Sequence, residues 1–237
     1  MTDRNHITAA LRSAFPLTIP IMAGFIFLGI AYGIFMNSLG FHPIYPIVMS
    51  LVVYSGSMEF LAATLLLATF NPLYALALTI MVNARHLFYG VSMLEKYKGM
   101  GKKKFYLIYG LSDEAFSINS TAYIPDHIDR GWFMFFVTML NHGYWVAGSI
   151  IGAYFGALIP FNTEGLEFVL TALFVVILMD NWMKEKKHQS AIIGLGCSVI
   201  CLVIFGGDLF IIPTMLAILA VFTLLRKPQE KVEVSTV

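Results

Sequence analysis

Charge is what this sequence lacks most. Only 12% of its 237 residues are Asp, Glu, Lys or Arg, against roughly 25% in a soluble domain. So little polar surface excludes an ordinary water-soluble globule. The charges present sum to +1, and that balance points to no nucleic-acid partner. Cysteine is scarce as well: Cys197 and Cys201 sit four apart in one apolar run. Neither has a neighbouring His or Cys to complete a zinc site, so both read as small packing residues, and no metal or cofactor is expected. A Gly-rich phosphate loop, HExxH and G-x-S-x-G are all missing, which leaves no soluble-enzyme motif. The start, MTDRNHITAALRSAF, has no apolar core followed by a small-residue cleavage site, so no cleaved signal peptide is expected. Residues 1–15 are expected to be cytoplasmic or interfacial, with Ala9, Leu11 and Phe15 toward the membrane.

Apolar residues are abundant instead, at 58% of the chain with a mean hydropathy of +0.78. They gather in runs near 16–37, 43–69, 72–93, 104–121, 131–159, 165–183, 190–206 and 209–225. A helix needs roughly 20 apolar residues to cross a bilayer, and long continuous runs exclude the short alternating strands of a β-barrel. The expected fold is an all-α polytopic membrane protein of roughly 7–8 transmembrane segments. It comprises one transmembrane domain over 16–225 and a disordered cytoplasmic tail over 226–237.

Lys and Arg in short loops set orientation. The clusters Lys96–Lys104, Lys184–Lys187 and Arg226–Lys231 are all expected on the cytoplasmic side, with the C-terminus. The two runs between the second and third clusters agree. Three runs separate the first cluster from the second, however, which is the wrong parity for simple crossings, and counting from Arg4 and Arg12 meets a second conflict. Broken or re-entrant helices are the expected remedy. Two runs invite them: VYSGSMEF places Gly56 between serines in the second, and NHGYW, Asn141 to Trp145, lies inside the long fifth. Irregular backbone is tolerated at membrane depth only against protein or a water-filled cavity, and such breaks mark transporter binding sites. A weak internal repeat accompanies them. Gly29 and Gly33 in one run and Gly148, Gly152 and Gly156 in another recur at spacing four, a pattern that lets helix backbones approach closely.

Ionisable groups inside these runs cost about 2.5–3.5 kcal/mol each on insertion scales, so each needs a partner, a cavity or the interface. Glu59 follows the Gly56 break, where Ser55 and Gly56 offer backbone groups to a ligand; the alternative is a simple Glu59–Arg85 pair. In VNARHLFYG, Asn83, His86 and Gly90 share one helix face while Arg85, Tyr89 and Ser92 share the next. The Arg85 fork matches a carboxylate, from a ligand or from Glu59 or Asp113. Of the adjacent acids in LSDEAF, Asp113 is expected to face a cavity with Ser117 while Glu114 pairs or caps. His86 and His142 are candidate proton carriers or structurally bonded histidines. Asp180, beside Lys184, reads as interfacial.

These segments together resemble the AzlC family of branched-chain amino acid exporters, linked to azaleucine resistance. The resemblance rests on FPLTIPIMAGFIFLGIAYG, YSGSMEFLAATLL, VNARHLFYGVSM, LSDEAF, NHGYWVAGSIIGAYFG and GLEFVLTALFVVIL in that order, over residues 13–185 and more loosely to 225. It implies a bacterial inner-membrane transporter exporting valine, leucine, isoleucine and sometimes methionine. It also implies a small AzlD-type membrane subunit as partner. Members of the family commonly carry Gln where this chain has Glu59, and an added ionisable group there bears on solute choice and proton coupling. The expected ligand is a zwitterion with an apolar side chain. Its carboxylate would meet Arg85 or the Ser55 and Gly56 amides, and its ammonium Glu59 or Asp113. Its side chain would meet Tyr54, Met58, Phe60 or Phe88, with Asn83 and Tyr89 completing the site. Glu59, His86, Asp113 and His142 are the candidates for exchanging a proton. A passive channel, an exporter of another small zwitterion, and an intramembrane hydrolase built on Glu59, His86 and His142 remain as alternatives.

Overall fold

Three long helices organise the first part of the chain: α1 (Asp3–Ser38), α4 (Pro72–Met93) and α7 (Arg130–Leu158). Short helices fill the intervals, namely α2 (Ile44–Val52) and α3 (Gly56–Leu67), then α5 (Lys103–Tyr109) and α6 (Asp113–Thr121). The computed structural model describes residues 3–69, 71–158, 175, 178–179, 182–183 and 188–225, and its regular elements among them are all helices. The chain divides into two compact units, Met1–Leu173 and Phe174–Val237. Asp180, Lys184, Lys186, Lys187 and the tail from Arg226 lie outside the described residues.

α1 and α7 pack side by side in parallel. Their contact is made by the two glycine sets: Gly29 lies against Gly148, Gly33 against Gly152 and Ala153, and Gly156 against Ile34. A Cβ on Gly148 would stand 2.6 Å from the Ile26 carbonyl oxygen, and one on Gly152 would overlap the Ile30 carbonyl. The obstacle is backbone, so any larger side chain would force the helices apart. Small residues are therefore required here, as at close crossings in lipid, where dispersion contact replaces the hydrophobic drive. The Asn37 amide bonds the Ala153 carbonyl at 3.3 Å, and Thr18 meets the Tyr144 hydroxyl at 3.1 Å.

α4 runs the opposite way. Its last residue, Met93, is buried in a cluster with Ala10 and Ala14 of early α1, Leu107 of α5, and Phe133, Met134 and Val137 of early α7. This near end of the bundle also holds Lys103, paired with Asp129 at 3.6 Å and lying over the Trp132 ring. The far end holds the end of α1 and the start of α2, where the Phe41 amide bonds the Met36 carbonyl. Asn71 caps α4 there, its side chain accepting from Leu73 and Tyr74 N–H, with Pro72 at the first helical position, where a missing N–H is harmless.

The second apolar run is broken at residues 53–55, between α2 and α3. The residue in the left-handed region is Tyr54, at φ 42, not Gly56. α2 leaves the far end and α3 must return to it, because only four residues, 68–71, join Leu67 to the far-end start of α4. The fourth run is also broken, at residues 110–112. α5 leaves the near end, and α6 comes back to it, with Ile118 and Ala122 packed on the near-end cluster and the Lys96 ammonium bonding the Ser120 carbonyl. At 1.5 Å per residue, these half-helices reach only about 10–18 Å, well short of a roughly 30 Å core. The chain thus forms two helical hairpins that enter from opposite ends.

The expected break at NHGYW is absent: α7 is continuous through Asn141–Trp145. Gly143 faces open space, so nothing there requires irregular backbone. Residues 3–15 are continuous with α1.

Among the described residues, one helix, His6–Ser38, is long and apolar enough by itself to cross a membrane. The 22 and 29 residues of α4 and α7 would reach about 33 and 43 Å, but each carries polar groups at mid-length. In the second unit, α8 (Gln189–Leu209) and α9 (Ile211–Leu225) pack together. α8 turns out of helical geometry at Gly206, φ 73, which only glycine adopts freely. Cys197 and Cys201 are free thiols on α8, the latter buried.

Candidate functional site where two hairpins meet

The tips of the two hairpins touch at mid-length of the bundle. Tyr109, at the end of α5, donates its hydroxyl to the Leu51 carbonyl of α2 at 2.8 Å. His142 of α7 joins both hairpins, with Nε2 3.2 Å from the Ser50 carbonyl and Nδ1 2.9 Å from the Tyr106 hydroxyl. A carbonyl only accepts, so Nε2 carries the proton and Nδ1 of the neutral ring accepts from Tyr106. Ser50 and Leu51 sit in the last turn of α2, where a helix leaves carbonyls without intrahelical partners. Side chains from α7 and α5 thus satisfy the broken end. Gly110 fits the second tip against α7, since a Cβ there would overlap the Thr138 methyl.

α3 and α6 both begin at this junction, so their N-terminal dipoles converge on it. α6 is capped by Ser112, whose hydroxyl accepts from Ala115 N–H at 3.2 Å, while Glu114 folds back toward Ser112 and its own amide. Ser55 makes no side-chain cap on α3. Its hydroxyl instead donates to Asn83 Oδ1 of α4 at 2.9 Å, and its N–H donates to Glu59 Oε1 at 3.0 Å. Gly56 opens α3 against the edge of Trp145, 3.8 Å from where a Cβ would stand.

Glu59 does not pair with Arg85. It is fully buried and accepts from Trp145 Nε1 at 3.0 and 3.2 Å on its two oxygens. Trp145 is in turn stacked on Tyr32 and edge-on to Phe25. Glu59 therefore faces the α1–α7 pair rather than α4.

Arg85 pairs with Asp113: Nη2 stands 3.0 Å from Oδ2, with the side chains 36% and 35% exposed. The pair is open on one side and unfinished on the other. Arg85 Nε and Asp113 Oδ1 are buried and, among the described residues, have no hydrogen-bond partner. One is a spare donor and the other a spare acceptor, set on one ion pair at the start of α6. Tyr89 lies beside Asp113 and stacks on Phe116 at 4.3 Å. His86 sits half-buried beside Arg85 and Asp113, its ring edge-on to Tyr89.

The structure thus brings Arg85, Asp113, His86 and Tyr89 together. Asn83 and Ser55 lie at the first hairpin tip, and Glu59 and His142 lie on the α7 side. Met58 and Phe60 are not at the site: both are buried, and Phe60 packs on Tyr32 and Phe35. Phe88 points away, 69% exposed. Trp145, Tyr106, Tyr109 and the break at 110–112 escaped the sequence reading. The last had a signal, since Gly-Leu-Ser-Asp-Glu at 110–114 is a helix start, an N-cap serine followed by acids in the first turn.

Comparison with known proteins adds independent ground. A Bacillus subtilis protein described as branched-chain amino acid transport protein AzlC is 68% identical over 99% of this chain and 92% of its own length. An uncharacterized membrane protein of Haemophilus influenzae is 50% identical over 97% of this chain and 95% of its own length. The Escherichia coli inner membrane protein YgaZ is 29% identical over 72% of each chain. No solved structure matches. Residues 20–159, which hold both hairpin tips, the Arg85–Asp113 pair and the α1–α7 glycines, match the AzlC protein family, and this chain belongs to that family.

Proposed function

We propose that this chain is a membrane transporter of branched-chain amino acids. The observation that carries the reading is the Arg85–Asp113 pair, with its unpartnered Nε donor and Oδ1 acceptor between two opposed half-helices. A zwitterion supplies what each lacks: its carboxylate accepts from Arg85 Nε, and its ammonium donates to Asp113 Oδ1. Both N-terminal dipoles favour the carboxylate at this depth. The name of the Bacillus relative supports an aliphatic amino acid as the solute. No covalent chemistry is involved.

The hairpins also support a topology. If neither 43–69 nor 104–121 crosses the bilayer, the eight apolar runs reduce to six crossings and two re-entrant hairpins. Both charge conflicts then vanish, and the N-terminus, the Lys96–Lys104 loop and the C-terminus all fall on the cytoplasmic side. In the same reading, transport is export across the bacterial inner membrane, with a small membrane subunit as partner. Export is coupled to protons through Asp113, which touches the ammonium. Glu59 and Asn83 connect to the site through Ser55.

The test is efflux of labelled leucine from preloaded membrane vesicles, with and without the small subunit, for wild type and Arg85→Ala. Saturable efflux that an inserted Arg85→Ala protein loses supports the reading. Wild-type flux that rises linearly with concentration, or none at all with the partner present, overturns it.

A further inference from the structure

We propose that Tyr54 is a third substrate-contacting residue of this site, the one that limits the size of the amino-acid side chain, and that His142 is the positioning residue that holds it; the proposal rests on the zwitterion-binding reading above.

The first observation is backbone strain. Among the described residues, Tyr54 alone of the non-glycines has positive φ. Such a conformation is unfavourable for a residue with a Cβ and persists only where its surroundings enforce it. Glycine would remove the strain, and one stands two positions away at Gly56. A tyrosine in this conformation at the tip of a hairpin implies a use for its side chain.

The second observation is where that side chain goes. Its ring lies on the His142 imidazole, centroids 4.3 Å apart, and near Tyr109 at 6.4 Å. His142 is itself fixed at both nitrogens by Ser50 and Tyr106, so the tyrosine has a rigid backing. Its hydroxyl faces the start of α6, beside Ser112 and Glu114, close to the Ser112 side chain but not in full hydrogen-bond geometry with any described residue. Three buried polar atoms without full partners among the described residues therefore belong to residues at or next to one helix start: Tyr54 Oη beside Ser112, and Arg85 Nε and Asp113 Oδ1 on the ion pair at Asp113. Leaving a buried hydroxyl unpaired is unfavourable, and a bound carboxylate would relieve it. The hydroxyl then donates to one carboxylate oxygen while Arg85 Nε donates to the other. The ring closes the site on the hairpin-tip side and bounds the space for the aliphatic chain. Phe60 and Met58 cannot do so from the α1–α3 core, nor can Phe88 from the exposed face.

The experiment measures leucine and phenylalanine flux in vesicles carrying the full chain and its small subunit. Tyr54→Phe removes one oxygen and keeps the ring. It should raise the half-saturating leucine concentration about tenfold with little change in maximal rate, as expected for a lost bond to a charged group. Tyr54→Ala should shift selectivity at least tenfold toward phenylalanine. His142→Ala should reproduce the Tyr54→Phe shift in half-saturation, and the double variant should be no worse than the poorer single one. Unchanged half-saturation in Tyr54→Phe overturns the contact, even if Tyr54→Ala fails to insert. Additive effects in the double variant overturn the positioning role of His142. Absence of saturable leucine flux in wild type sinks the transport reading and this proposal together, whereas saturable wild-type flux with unaltered variants sinks only the proposal.

Discussion

Trp145 Nε1 donates to both carboxylate oxygens of Glu59, at 3.0 and 3.2 Å, and so ties the first turn of α3 to the middle of α7. Among the described residues Glu59 makes no ion pair; hydrogen bonds from Trp145 and the Ser55 N–H compensate for its burial. Removing a donor from such a group costs about 1–3 kcal/mol or more. Trp145→Phe should therefore destabilise the protein by at least that amount, measured as a lowered unfolding midpoint in detergent. Glu59→Gln should be mild alone, because an amide carbonyl still accepts from both donors. In the Trp145→Phe background it should recover part of the loss, since no buried charge is left.

The α1–α7 contact makes a sharper prediction. Gly152→Leu and Gly33→Val place side chains where the opposing backbone already lies. Overpacking typically costs 1–3 kcal/mol, occasionally more, and backbone cannot yield as a rotamer can. Both variants should lose monodisperse folded protein by size-exclusion chromatography. Gly143→Ala and Gly24→Ala, which face open space, should behave as wild type. Equal behaviour of all four would remove the glycine contact as a determinant of packing.

Arg85 uses one arm of its fork: an Nη binds Asp113 while Nε has no partner among the described residues, and in the proposed site that Nε donates to the ligand carboxylate. Lysine has no second donor in that geometry. Arg85→Lys should keep the pair and the fold yet raise half-saturation by roughly 10- to 100-fold, read as concentration-dependent flux. Exchanging the two residues, Arg85→Asp with Asp113→Arg, should restore expression without restoring transport.

The hairpins predict which loops share a side. In a chain whose two native cysteines are replaced, single cysteines at Lys98 and Asp126 should react with an impermeant thiol reagent from the same face. Those at Gly40 and Asn71 should react from the opposite face. If 104–121 crossed the bilayer, Lys98 and Asp126 would label from opposite sides. That outcome would remove the re-entrant reading of α5 and α6.

Much of this protein is set by composition and local pattern. Scarce charge and long apolar runs dictate helices in a bilayer, because hydrocarbon leaves no other partner for the backbone. The spacing of Gly29, Gly33, Gly148, Gly152 and Gly156 marks faces able to approach closely, and Ser55–Gly56 marks a weak point in the second run. Other features depend on contacts between residues far apart in sequence. Whether Arg85 meets Glu59 or Asp113 is decided by the second hairpin, which brings α6 beside α4 and leaves Glu59 to Trp145. Whether a run breaks is likewise a tertiary matter. The polar run Asn141–Tyr144 stays helical because α7 is backed along its length by α1, while at 110–112 the chain turns where Gly110 lies against Thr138 and Tyr109 bonds the first hairpin tip. Local sequence specifies which groups must be paired; only the packed chain chooses the pairs, because each buried polar atom takes the partner that the neighbouring helices bring within about 3 Å.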